Sequence, residues 1–152
     1  MPRRIESLFI DGPAGRLEAI LEEPEGAAPA SVALVCHPHP LHGGTMHNKV
    51  VHRLARGLRT GHSRAVTLRF NFRGVNLSHG VHDHGLGEVE DARAATALLV
   101  SRYPRLPLTI AGFSFGARIA AEASSGATRL ILAGFPTVYR EWEALLRFTL
   151  PR

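Results

Sequence analysis

The chain has 152 residues, and a composition of 45% hydrophobic and 20% charged residues indicates one globular domain over residues 1–152. A formal net charge of +5 raises nucleic-acid binding as a function, but the arginines are scattered rather than clustered, which counts against it. A single cysteine, Cys36, excludes an internal disulfide and favours the cytoplasm, and no apolar run is long enough for a membrane span or a signal peptide.

The first half of the chain alternates between strand-like and helix-like segments. Residues 5–10 and 16–21 are short apolar segments joined by a Gly/Pro-rich turn, which predicts a β-hairpin. The continuous apolar run 31–36 predicts a strand buried on both faces. Asn48 predicts the start of a helix over residues 49–59, because apolar residues recur there at helical spacing.

The second half continues this alternation. In order, the patterns predict a strand over 65–70, a helix over 87–103, a strand over 108–111, a short Ala-rich helix over 117–123, a strand over 129–133 and a helix over 141–148. Strands separated by helices indicate a mostly parallel sheet with helices on both faces. We therefore expect a single α/β domain.

The segment Gly112-Phe113-Ser114-Phe115-Gly116 stands between a predicted strand and a predicted helix. In that context a Gly-x-Ser-x-Gly pattern predicts a nucleophile elbow, a tight turn that exposes the serine hydroxyl. Ser114 is then the candidate nucleophile, and the backbone N–H of Phe115, at the helix N-terminus, is the first candidate oxyanion donor. The alternative is a glycine-rich turn without chemistry.

A second oxyanion donor is expected in the loop that follows the strand ending at Cys36. Pro38 and Pro40 have no N–H group, which leaves His39 and Leu41 in the early part of this loop. We favour His39, because it is closer to the end of the strand.

The chain also carries two groups of residues that bind metals in other proteins. They are His37, His39 and His42 in the first group, and His79, His82, Asp83 and His84 in the second. Neither group has the spacing of a structural zinc site, and a second cysteine is missing. We expect no metal and no cofactor.

Four motifs together resemble the α/β-hydrolase superfamily. They are CHPHPLHGGTMHNKVV at 36–51, RFNFRGVNLSHG at 69–80, GLGEVEDARAA at 85–95 and GFSFGA at 112–117. The motifs are most similar to the small bacterial branch with a His-Pro-His-Pro loop, and to dienelactone-hydrolase-like proteins. The resemblance implies an α/β-hydrolase-type sheet, Ser114 as nucleophile, an oxyanion loop around His39, and hydrolysis of an ester, thioester or amide.

The sequence departs from this family after the nucleophile. Family members place the catalytic acid and then the histidine downstream of the serine, whereas the last histidine here is His84. Glu141 and Glu143 are interpreted as surface charges, and the loop of His84 is expected to reach Ser114 only by an unusual path. The chain thus resembles the N-terminal two-thirds of a family member, truncated after the strand that follows the nucleophile. The alternative function is a catalytically incompetent chain that serves as a binding module or is a gene fragment.

The expected partner is a small-molecule acyl substrate, with neither nucleic acid nor a membrane. The strand over 129–133 is expected to form a sheet edge with no charged residue in its middle. Apolar residues follow it, namely Trp142, Leu145, Leu146 and Phe148. We therefore expect self-association through this edge.

Overall fold

A computed structural model describes residues 4–136, which form a six-stranded sheet flanked by helices. The strands are β1 (Ile5–Gly12), β2 (Gly15–Glu22), β3 (Ser31–Cys36), β4 (Ala65–Phe70), β5 (Leu108–Phe113) and β6 (Arg129–Ala133). The helices are α1 (Lys49–Thr60), α2 (Leu86–Arg102) and α3 (Phe115–Glu122), and a short 3₁₀ turn covers Pro40–His42. The helix predicted over 141–148, with Glu141 and Glu143, lies outside the described residues.

The sheet has the strand order β1-β2-β4-β3-β5-β6. β1 pairs antiparallel with β2, and β2 pairs antiparallel with β4. β4, β3, β5 and β6 run parallel, as the alternation of strands and helices predicts. Cys36 at the end of β3 is the register partner of Gly112 near the end of β5. The loops that follow these two strands therefore meet at one edge of the sheet.

The elements predicted within residues 4–136 are confirmed, with small changes at their ends. The N-terminal hairpin is longer than predicted, because pairing continues to Gly12 and Gly15. β5 continues two residues past its predicted end, because Gly112 and Phe113 pair with β6. α1 begins after Asn48, whose Oδ1 accepts hydrogen bonds from the N–H groups of the next turn.

The helices cover both faces of the sheet. α1 packs on one face through Val51, Ala55 and Leu58, whereas α2 and α3 pack on the other. All six residues of β3 are buried, as the sequence predicts for a strand between two helical layers. Within residues 4–136, none of the helices combines the length and apolar character needed to cross a membrane.

Candidate active site

Ser114 lies at the turn between β5 and α3. Its backbone has φ 56° and ψ −118°, a conformation that costs a non-glycine residue about 1–3 kcal/mol. The neighbouring strand β6 holds the start of this turn, because Ser114 N–H donates a 2.9 Å hydrogen bond to Ala133 O in β6. The half-buried side chain therefore stands where the chain reverses from strand to helix.

The two glycines of the motif are required by crowding around this turn. A Cβ atom on Gly112 would lie 2.1 Å from the carbonyl oxygen of Gly116. A Cβ atom on Gly116 would lie 2.2 Å from the carbonyl oxygen of Cys36 and 2.5 Å from that of His37. The first turn of α3 is thus pressed directly against the loop that follows β3.

The N-terminus of α3 supplies unbonded donors beside Ser114. Ala117 and Arg118 donate to Ser114 O, at 2.9 and 3.3 Å. Phe115 and Gly116 precede them, at positions whose N–H groups have no acceptor within a helix. The role of the Phe115 N–H as an oxyanion donor remains a prediction, and the position of Phe115 at the start of α3 is compatible with it.

The loop after β3 brings His39 against the elbow. The imidazole of His39 lies 4.9 Å from the Phe115 ring, centroid to centroid. Leu41, the other donor considered from sequence, uses its N–H to bond His39 Nδ1 at 3.1 Å. Within residues 4–136 the N–H of His39 makes no hydrogen bond. Of the two candidates, His39 is therefore the one with a free donor, and its role stays a prediction.

Residues at the end of β4 and just after it hold both ends of this loop. Arg69 Nη1 donates to Met46 O at 2.8 Å, and Asn71 Oδ1 accepts from Met46 N–H at 2.8 Å. At the other end, Phe72 N–H donates to His37 Nε2 at 3.1 Å. The sequence analysis did not assign these residues a role. The signal was polar side chains within an apolar strand end, which need buried partners.

A buried ion pair fixes the turn that follows these residues. The Arg73 guanidinium donates to both oxygens of Asp91, with 2.8 Å between Nη2 and Oδ1 and 3.1 Å between Nε and Oδ2. Asp91 is fully buried in α2, and its hydrogen bonds raise the pKa of Arg73. Arg73 Nη2 also donates to Gly87 O at 2.9 Å. The RFNFRG segment therefore positions the loop after β3 through hydrogen bonds, and is itself fixed to α2 by the Arg73–Asp91 pair.

His37 is buried with both ring nitrogens in use. Because Nε2 accepts from Phe72 N–H, the proton is on Nδ1, which donates to Pro38 O at 2.7 Å. Burial lowers the pKa of His37 from 6.5 to about 4. A histidine with no unused nitrogen does not serve as a base for Ser114.

This pKa predicts acid sensitivity of the fold. Unfolding restores a pKa near 6.5, so the unfolded chain binds the proton more readily, and stability is lost as pH falls from 6.5 toward about 4. We expect a loss of about 3 kcal/mol from this residue. Urea denaturation from pH 7 to 4 should show a smaller loss for His37→Gln than for the wild type. Equal losses for the two proteins would contradict the prediction.

The second histidine group comes closer to the elbow than the sequence suggested. The His82 ring lies 5.9 Å from the Phe115 ring and 5.2 Å from the His39 ring. These contacts place the loop of His84 beside Phe115, the residue that follows Ser114. The loop turns inward because Glu88, buried in the first turn of α2, accepts hydrogen bonds from Asp83 and Gly85 N–H at 2.8 and 2.9 Å.

His82 also approaches a carboxylate. Its Nδ1 lies 3.1 Å from Glu88 Oε2, although not along a hydrogen-bonding direction. The pKa of His39 is lowered by burial first and then by the nearby His42 and His82. Across the described part of the chain, no three His, Cys, Asp or Glu side chains are arranged to hold a metal ion.

The strained backbone of Ser114 leads to a prediction about the stability of the fold. Glycine adopts a positive φ without steric cost, so Ser114→Gly should raise the free energy of unfolding by about 1 kcal/mol. Ser114→Ala keeps the Cβ atom and should leave stability nearly unchanged, which makes it the matched control. Thermal and urea denaturation measure both. A Ser114→Gly protein less stable than Ser114→Ala would show that the turn is not strained.

No protein-family model matches the sequence. A structure of an α/β serine hydrolase homologue from Coxiella burnetii is 40% identical, with a TM-score of 0.90, and the match covers 96% of this chain and 70% of that one. The chain belongs to the α/β serine hydrolase family.

Two other bacterial proteins are similar to this α/β serine hydrolase chain. A Xanthomonas campestris structure, described as an a/b serine hydrolase without lid, is 40% identical with a TM-score of 0.80, over 87% of this chain and 62% of that one. An uncharacterised protein of Rickettsia prowazekii is 44% identical over 118 residues, which are 76% of this chain. The chain spans about half (48%) of the length of that curated relative.

Proposed function

We propose that the chain carries the nucleophile and the oxyanion hole of a serine hydrolase that acts on an ester, thioester or amide. The observation that carries the proposal is Ser114 itself, held at φ 56° between β5 and α3. Backbone strain of this kind is found at functional sites, where the surrounding structure maintains it. Its neighbours on both sides, the α3 N-terminus and the His39 loop, suit the binding of negative charge.

In this proposal Ser114 Oγ attacks the acyl carbon, and the carbonyl oxygen becomes an oxyanion bound by the N–H groups of Phe115 and His39. The hydroxyl proton passes to a base, since serine is a weak nucleophile at its own pKa. His37 does not fill that position, because both of its nitrogens are bonded. No histidine follows His84 in the 152 residues.

A fluorophosphonate probe tests the nucleophile without needing turnover. Ser114 Oγ forms a bond to phosphorus, fluoride leaves, and the proton goes to solvent. Mass spectrometry of the digested protein should locate the adduct on Ser114, with none in Ser114→Ala and an unchanged yield in Ser101→Ala, which alters an exposed serine of α2. An adduct spread over several serines, or absent from Ser114 after long incubation, would reject the proposal.

The second candidate function is that of a binding module, and β6 favours it. Within residues 4–136 this strand pairs with β5 only, and Leu130, Ile131 and Leu132 are half-buried. An edge strand of this composition offers unpaired N–H and C=O groups to another chain. Trp142, Leu145, Leu146 and Phe148, which the sequence analysis included in this surface, lie outside the described residues.

The edge gives a prediction about the 152-residue chain studied alone. We expect its average mass to rise with concentration in size-exclusion chromatography with light scattering, because β6 pairs with a second copy. Ile131→Lys places a charge in the middle of the strand and should reduce the association. A monomer at every concentration tested would contradict this.

A cytoplasmic location is supported by Cys36, a buried thiol without a second cysteine in the sequence. The proposed partner is a small-molecule acyl substrate.

A further inference from the structure

We propose that His37 is a positioning residue, whose neutral imidazole joins the loop after β3 to the segment after β4 and so sets the place of the His39 N–H. This rests on the proposed function, in which that N–H binds the oxyanion. His37 itself does not touch substrate, because its side chain is fully buried.

The first support is the pair of hydrogen bonds. His37 Nε2 accepts from Phe72 N–H at 3.1 Å, across two loops that are distant in sequence. Nδ1 donates to Pro38 O at 2.7 Å, which bends the chain at the residue just before His39. One ring therefore fixes both the distance between the loops and the direction in which the chain enters His39.

The second support is the packing on either side of His37. Its ring lies edge-on to the Phe72 ring, with 4.7 Å between centroids, and Phe72 in turn lies edge-on to Phe115 at 5.7 Å. The position of a Cβ on Gly116 is 2.5 Å from His37 O. The backbone and the side chain of His37 thus both abut the residues that follow Ser114.

The third support is that later residues of the same loop are hydrogen-bonded to His39. His42 N–H and Gly44 N–H both donate to His39 O at 3.0 Å. A shift at His37 would carry His39 and this whole turn with it. Misplacement of a catalytic group by about 1 Å costs up to about 100-fold in rate.

The test compares His37→Phe, His37→Gln and His37→Asn in the Ser114→Ala background, where any acceleration over buffer comes from the oxyanion hole and substrate binding. Phe keeps the volume and loses both bonds. Gln places its amide near the Nε2 position and Asn near the Nδ1 position. His52→Gln, which removes an exposed histidine of α1, controls for hydrolysis by surface imidazoles.

For p-nitrophenyl acetate we expect His37→Phe and His37→Asn to lower kcat about 10- to 100-fold with little change in KM. His37→Gln should recover most of kcat, since it restores the acceptor for Phe72 N–H. A folded His37→Phe protein with the parent kcat, or Asn and Gln with equal kcat, would overturn the positioning role.

Amide hydrogen exchange separates this proposal from the proposed function. In His37→Phe, exchange at His42 and Gly44 should speed up at least 10-fold relative to amides in α1, and His37→Gln should reverse the change. Unchanged protection would overturn the proposal. If the Ser114→Ala parent is no faster than buffer and the wild type forms no adduct on Ser114, the proposed function is rejected, while loop exchange still decides whether His37 holds the loop.

Discussion

The purified 152-residue chain should hydrolyse p-nitrophenyl acetate hardly faster than its Ser114→Ala variant. Removing the base of a serine triad lowers kcat by about 10⁶-fold and leaves only about 10³–10⁴-fold acceleration over water, from oxyanion hole and binding. The chain contains no histidine after His84, and His37 has no unused nitrogen. Initial rates for the two proteins, measured against buffer alone, give the result directly.

Rapid hydrolysis that Ser114→Ala abolishes would contradict this expectation. It would mean that another histidine takes the proton, and His82 is then the first to test. Its ring lies beside Phe115, and its Nδ1 is 3.1 Å from the buried Glu88 carboxylate. His82→Gln should remove such an activity, whereas His52→Gln, on the exposed side of α1, should not.

Gly116→Ala should strongly destabilise the protein, by about 3 kcal/mol or more. The new Cβ atom would lie 2.2 Å from Cys36 O and 2.5 Å from His37 O. Both are backbone atoms, one in the last residue of β3 and one in the first residue of the loop that follows it, so relief requires moving this part of the chain away from α3. Urea denaturation measures the loss, and the same shift should disturb the oxyanion hole.

Gly57→Ala is the matched control, because nothing lies within 4 Å of a Cβ atom at Gly57 in α1. That change should stabilise the protein by about 0.5–1 kcal/mol, the usual gain from alanine within a helix. Equal stability of Gly116→Ala and the wild type would show that α3 is not in close contact with the backbone of Cys36 and His37.

Local sequence patterns were sufficient for the secondary structure. The apolar run of β3 and the cap at Asn48 gave the right elements, because each depends on neighbours in sequence. The elbow was also predictable, since Gly-x-Ser-x-Gly between a strand and a helix is a local pattern, although the atoms that crowd Gly116 belong to Cys36 and His37. Strand ends were less accurate, because Gly112 and Phe113 join β5 only through pairing with β6.

The buried hydrogen bonds and the ion pair that position the site were not predictable from local sequence patterns. Phe72 N–H finds its acceptor in His37, and Arg73 finds its carboxylate in Asp91 of α2. Which buried polar groups meet depends on strand order, and that order is not encoded in any single segment. For the same reason His82 could not be placed beside Phe115 in advance.

The contact between Gly116 and Cys36 has a consequence for folding. These residues are widely separated in the chain, and β4 with both α1 and α2 lies between them. Bringing them together costs loop-closure entropy that is recovered only when β3 and β5 pair. We therefore expect the elbow to acquire its geometry late, after the parallel strands have aligned, and a peptide carrying the Ser114 motif alone to lack it.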